Sequence, residues 1–278
     1  MRRVNSSLFI ALATVLILTS CSSQSHTDTP SPTSTTIKEP VPHSKIFYVG
    51  DTPVGFRLFS EDYAVAGFDT KALTSLVEDL VDGKAIPLDP DYSNLWGHGT
   101  SLLSLKVSAP LITIDLHLGT LNVGAEAEMR AIDQILWTIT KFMPTITGMN
   151  LLVDGKKAES IAGHVDATKT FVLEPTFDVL SPLQIESIYE GQSLVSPVIV
   201  TGQACTFEAN VAWKLSQNNV TVQSGSVTAS QACPTRSKWT INLGQLESGK
   251  YQLSIRDYSA KDGSLNAEDT KSFIVVKK

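Results

Sequence analysis

The sequence predicts an α+β module, with helices packed on a mainly antiparallel sheet, followed by an all-β sandwich. Three observations carry that expectation. Apolar residues recur at helical spacing in two stretches before Pro144 and in no convincing stretch after Gln184. Strands that alternate apolar and polar residues surround those helices, and Asp154-Gly155 supplies the turn chemistry of a tight hairpin. From Gln184 onward, short alternating runs are separated by turns placed at Gly191, Gly202, Gly225, Gly249 and Gly263, as in a sandwich of about seven strands.

The first module, residues 45–172, opens with a short strand, Ile46 to Val49, ended by Gly50-Asp51-Thr52-Pro53. A helix follows, with Asp69 or Thr70 as its N-cap and Gly83 in the left-handed position after its last turn. Leu73, Leu76, Val77 and Leu80 fall at i, i+3, i+4 and i+7, so one face is buried. After a loop through Pro87 and Pro90, Leu103, Leu105 and Val107 alternate with Ser104 and Lys106. Ile112, Ile114 and Leu116 alternate with Thr113 and Asp115, and Ser108-Ala109-Pro110 between the runs makes a hairpin with one wet face. A second helix runs from about Ala125 to Phe142, with Glu126 and Glu128 near its positive end, Lys141 near its negative end and Pro144 stopping it. Met129, Ile132, Ile135, Leu136, Ile139 and Phe142 form its apolar stripe. Ile146 to Val153 is then a strand, and Lys157 to Ile161 its return.

In the second module, residues 184–278, Cys205, Phe207, Ala209, Val211 and Trp213 share one face of a single strand, after Val198 to Val200. Trp239, Ile241 and Leu243, then Tyr251, Leu253 and Ile255, then Ser272 to Val276 continue the pattern.

The N-terminus sets the compartment. Arg2 and Arg3 precede an apolar run from Leu8, too short to span a bilayer, which reads as a secretory signal over residues 1–20. Leu18-Thr19-Ser20-Cys21 resembles the bacterial lipobox, which implies cleavage before Cys21 and lipid, palmitate among it, on that cysteine. An ordinary signal peptide with an incidental cysteine, or an uncleaved anchor, are the alternatives. Residues 21–44 are rich in serine, threonine and proline, the composition of an extended spacer or of a glycosylated stalk. With Cys21 lipidated, Cys205 and Cys233 remain, an even number in an oxidising setting, and are expected to form one disulfide. The chain is placed on the extracytoplasmic face of a cell membrane.

Composition narrows the function. Hydrophobic content of 42% and charge of 18% describe a folded chain. A net charge of −6, with no lysine or arginine cluster, excludes a phosphate-tracking surface, so nucleic acid is not an expected partner.

Two resemblances follow from longer stretches. GTSLLSLKV (Gly99 to Val107), ITIDL (Ile112 to Leu116) and AIDQILWTITKFMPTITGMNLLVDGK (Ala131 to Lys156) are similar to the GerMN domain, the sporulation and germination module of bacterial envelope lipoproteins. Trp96-Gly97-His98 departs from that pattern, where a proline-containing approach to the strand is expected. SPVIVTGQACTFEANVAWKL (Ser196 to Leu215) and YSAKDGS (Tyr258 to Ser264) resemble the immunoglobulin-like domain of bacterial spore germination, which often follows a GerMN domain. The pairing implies a non-enzymatic module that binds a partner protein, an assembly or a wall polymer, since GerMN domains resemble ring-building folds that pack edge to edge.

No chemistry-bearing motif competes with that reading. His26, His43, His98, His117 and His164 form no metal-ligand spacing, and GxSxG, P-loop and GxGxxG motifs are absent. Asp115 and His117 sit two apart on a strand with no nucleophile beside them. Asp154-Gly155 and Asp262-Gly263 bring too few carboxylates for calcium, and the Asn219 sequon is read as chance. No catalytic residue, cofactor or metal is expected. The remaining functional classes are an extracytoplasmic sensor that takes a small ligand or meets a membrane kinase, and a wall enzyme or its accessory.

Overall fold

Two sheets, not one, build the first module of the computed structural model, which describes residues 41–277. The leader, Cys21 and most of the 21–44 segment lie outside the described residues. Strand β1 (His43–Thr52) pairs antiparallel with β2 (Gly55–Ala64), and α1 (Thr70–Val81) follows. The first strand thus begins at His43, inside the segment expected to be spacer, because His43 and Ser44 pair with Ala64 and Tyr63. Asp69 is the N-cap, its carboxylate accepting from the Ala72 N–H at 2.8 Å. The two-residue β3 (Tyr92–Ser93) closes the sheet on the other side of β1.

The second sheet starts with β4 (Ser101–Ser108) and β5 (Leu111–His117), an antiparallel hairpin. A register shift between Leu102 and Ser104 resets the alternation. Leu102, Leu105 and Val107 therefore pack on the core, and Leu103 is 52% exposed rather than sharing their face. Helix α2 (Ala125–Phe142) then carries the chain to β6 (Gly148–Val153), which is parallel to β5. That parallel pair departs from a simple hairpin order. An 18-residue helix is about 27 Å long and returns the chain to the end it came from, which dictates a crossover. Asp154 and Gly155, both at positive φ, turn the chain into β7 (Lys156–Lys157). The expected return strand to Ile161 stops there, and β8 (Phe171–Val172) pairs with β6 instead.

Helix α2 is buried on nearly every side. Its apolar stripe joins α1 and the β5–β6 strands in the main core. Trp137, on the opposite face, packs with Phe47, Val49 and Leu58. Two polar residues on α2 make this possible. Thr138 accepts from the Phe47 N–H at 3.1 Å and Gln134 donates to the Phe47 carbonyl at 3.0 Å, so backbone groups of β1 buried under the helix are satisfied by side chains.

A short helix, α3 (Thr176–Val179), leads into the second module. Arg130 of α2 holds it by donating to the Asp178 carbonyl at 3.2 Å, while pairing with Asp133. Burial pushes the Asp133 carboxyl up to about 6, against the pull of Arg130.

The sandwich consists of β9 (Leu183–Ile185), β10 (Gln192–Val195), β11 (Val198–Ala204), β12 (Asn210–Gln217), β13 (Val220–Thr228), β14 (Ser237–Gly244), β15 (Gly249–Tyr258) and β16 (Leu265–Val276). One sheet has the order β10-β16-β15-β12-β13, the other β14-β11-β9. Trp239, Ile241, Tyr251, Leu253, Ile255, Val211, Leu215 and Phe273 fill the space between them. The run from Cys205 to Trp213 is not one strand. Positive φ at Glu208 and Ala209 makes a 3₁₀ turn of Phe207–Ala209, so β12 starts at Asn210 and Phe207 is 67% exposed. Gly202 and Gly225 lie inside strands rather than in turns. A side chain on Gly202 would overlap the Gln184 carbonyl and the Trp239 ring, and Gly225 is covered by the Trp213 indole. Cys205 and Cys233 are bonded to each other, tying the end of β11 to the approach to β14.

Candidate functional site: a buried ionic junction

Inward positions on β16 run Ala267, Asp269, Lys271, Phe273, Val275. Two of the five are charged, yet each is only 4% exposed. They are covered by the first module, whose loop between α1 and β4 brings Asp89 and Tyr92 against them. The Lys271 ammonium pairs with Asp89, and lies 2.7 Å from the Tyr92 oxygen and 3.1 Å from Asp269 Oδ1. Tyr92 donates to that same Asp269 oxygen at 2.8 Å, and the Ile185 N–H donates to the other at 2.6 Å. The ammonium also sits 4.4 Å from the Tyr92 ring centre.

Supporting bonds spread outward from this cluster. Glu61 accepts from the Leu88 and Asp89 N–H groups and so shapes the loop that carries Asp89. Gln184 donates to the Ser60 carbonyl at 2.5 Å, Thr270 to Asp91 at 3.2 Å, and Ser181 N–H to the Leu58 carbonyl at 3.0 Å. Burial pushes the Asp269 carboxyl up, opposed by Lys271 and its hydrogen-bond donors. Burial works against the Lys271 charge, but Asp269 and Asp89 more than offset it and hold the ammonium above its ordinary value. Burial also raises Tyr92 well above the ordinary phenol value, reinforced by Asp269 and Asp89. Two clefts flank the cluster. One, of about 380 Å³, is bordered by Asp51, Asp91, Tyr92 and Asp269; the other, of about 220 Å³, by Lys45, Glu61, Tyr189 and Lys271.

A second buried carboxylate organises the loop after β7. Glu128 on α2 has no exposed surface, and accepts from the N–H groups of Ile161, Ala162, His164 and Val165 at 2.8–3.2 Å. Burial opposes its ionisation, yet the four donors prevail and hold the carboxyl below its usual range.

The residues weighed for chemistry lie apart from both places. His117 and Asp115 grip the turn at 154–155, His117 to Asp154 at 2.8 Å and Asp115 accepting from the Gly155 N–H at 2.9 Å. Asp262 accepts from Ser264 within its own turn, and Asn219 takes positive φ between β12 and β13. Trp96-Gly97-His98 is pinned to the helices: Trp96 donates to the Ala131 carbonyl at 2.7 Å and the Gly97 N–H to the Val81 carbonyl at 3.0 Å. Among the described residues no three His, Cys, Asp or Glu side chains are placed to hold a metal ion, and no helix is long and apolar enough to cross a membrane. The junction itself escaped the sequence reading. Its signal was a pair of charges at two successive inward positions of β16.

A helix-bearing β module, joined through buried polar contacts to a two-sheet β-sandwich, defines a two-module class. Residues 45–159 match the family described as sporulation and spore germination, the GerMN-type module, and residues 178–264 match the immunoglobulin-like domain of bacterial spore germination. The chain carries these two domains in tandem, and neither is a known enzyme family. No curated protein matches it. Among solved structures, a candidate lipoprotein from Clostridium perfringens is 22% identical, with 48% of this chain and 87% of that one covered at a TM-score of 0.34. The tandem GerMN domains of the sporulation protein GerM from Bacillus subtilis are 13% identical, with 48% and 46% covered at 0.38.

Proposed function

We propose that this chain is a non-enzymatic, lipid-anchored protein of the bacterial cell envelope, held at the extracytoplasmic face through Cys21. Its two modules bind a partner protein, an assembly or a wall component as one body. The observation that carries this reading is the buried junction of Asp89, Tyr92, Asp269 and Lys271. Burying charges costs several kcal/mol per ion before pairing repays it, so such a contact suits modules that stay together rather than beads on a linker. A partner would then read a surface made by both modules.

Anchoring is tested by Cys21→Ser. The variant is expected to leave the membrane fraction while both modules stay folded, and unchanged membrane retention sinks the anchor. The composite surface is tested by crosslinking in intact envelopes with wild type and Asp89→Arg, which places like charge beside Lys271. Partners lost from the variant, with both modules folded, support the reading; the same partners captured by either module alone refute it. A sensor role is the second reading, favoured by the two clefts beside the junction. It predicts saturable binding of a small envelope metabolite that Asp91→Ala weakens.

A further inference from the structure

We propose that Lys271 and Asp89 condense into a side-chain amide, so that the two modules are joined by a covalent bridge. The two residues lie 182 positions apart in the chain and belong to opposite modules, and their side chains, in direct contact, are 4% and 2% exposed. The other groups such a reaction needs surround them. Asp269 Oδ1 is 3.1 Å from the Lys271 nitrogen, within proton-transfer reach, and the Tyr92 hydroxyl bridges the two at 2.7 and 2.8 Å.

Physical chemistry favours the step in this setting. Asp89 and Asp269 favour the ammonium, but Asp269 Oδ1 touches it directly, so a proton can pass between them without exchange with solvent and a minor population holds an amine beside a carboxylic acid. Desolvated lysine amines act as nucleophiles, and groups held in contact react as if at effective concentrations on the order of 10⁵ M or more. Nζ of Lys271 attacks Cγ of Asp89. The nitrogen–carbon bond forms and the bond from Cγ to one carboxyl oxygen breaks. Of the three ammonium protons, one stays on the amide nitrogen and two leave with that oxygen as water. Asp269 takes one proton from the nitrogen and returns it to the departing oxygen, ending as it began. No oxidant, nucleotide or metal is consumed. The cleft bordered by Lys271 gives the water a way out. Afterwards Asp269 keeps three donors: the Ile185 N–H, the Tyr92 hydroxyl and the new amide N–H.

Peptide mapping of the purified full-length chain tests this. Trypsin is expected to leave Lys271 uncut and to yield Ala85–Lys106 joined to Asp262–Lys277, one water lighter than the two peptides together. The intact mass of Lys271→Arg should exceed that of wild type by the lysine-to-arginine difference plus one water, since a guanidinium does not acylate under these conditions. Even a fraction of wild type carrying the joined pair supports the bridge. Recovery of both peptides only in free form from folded wild type overturns it, as does a missing water that maps elsewhere. Should Lys271→Arg fail to fold, the wild-type map decides alone.

Discussion

Asp269 and Glu128 are both buried carboxylates, and the fold satisfies them in opposite ways. Glu128 is surrounded by four backbone N–H groups from one loop. Asp269 has one backbone donor, a tyrosine hydroxyl and a lysine that is itself buried. Backbone dipoles stabilise a charge without bringing a second ion out of water, so the Glu128 carboxyl is held low while burial still pushes Asp269 up. The difference separates a local clasp from a junction: the first holds the Ile161–Val165 loop, whereas the second joins segments far apart in sequence and needs every member present.

The largest effect should therefore come from the junction. Lys271→Met is expected to destabilise the full chain by about 3–5 kcal/mol in denaturant unfolding, because two carboxylates stay buried without their cation. Replacing Asp89, Asp269 and Lys271 together with apolar residues of similar volume should recover the part of that loss that comes from unpaired buried charge. A triple variant no better than the single one would show that the comparison rests on the wrong contacts.

Glu128→Ala should cost less, about 2–3 kcal/mol, and its effect should be local. Amide exchange at Ile161, Ala162, His164 and Val165 is expected to speed up while the junction amide of Ile185 stays protected. The pH responses differ in sign. The folded pKa of Glu128 lies below its unfolded value, so its contribution is complete above that unfolded value and fades as pH falls through the folded one. The folded pKa of Asp269 lies above its unfolded value, so its share of stability declines as pH rises between the two. Acidification below the ordinary glutamate range should loosen the Ile161–Val165 loop first, and exchange measured against pH checks the order. Simultaneous loosening of Ile185 would erase the distinction.

The smallest effect is a control outside both sites. Asp69→Ala removes one cap bond from α1 and should cost about 1 kcal/mol, leaving amide exchange at Ile185 and across Ile161–Val165 unchanged.

Much of the architecture was legible. Both long helices, the Asp154-Gly155 turn, the Ile112 to Leu116 strand and the sandwich strands around Trp239, Tyr251 and Phe273 follow from period and turn chemistry, which act within a few residues. The misreadings share a cause. The bulge at Leu103, the 3₁₀ turn at Phe207–Ala209 and the buried place of Gly202 depend on what lies across the sheet. The candidate site was invisible for the same reason: Asp89 sits in a loop and Tyr92 in a two-residue strand, Asp269 and Lys271 look like polar residues of an ordinary edge, and nothing local joins them.

By itself the sequence determined the two long helices and the strands with clear alternation, because a helix stripe or a strand alternation is a property of neighbouring residues; β2 and β13 emerged only in the structure. The sequence also determined the even cysteine pair. Only the tertiary structure decided that β5 and β6 run parallel, that α2 is enclosed on both faces, and that a lysine on the last strand lies among carboxylates from the two modules. Those outcomes depend on Coulomb and desolvation energies between groups brought together by the chain's path, and no local pattern encodes the distance across which they act.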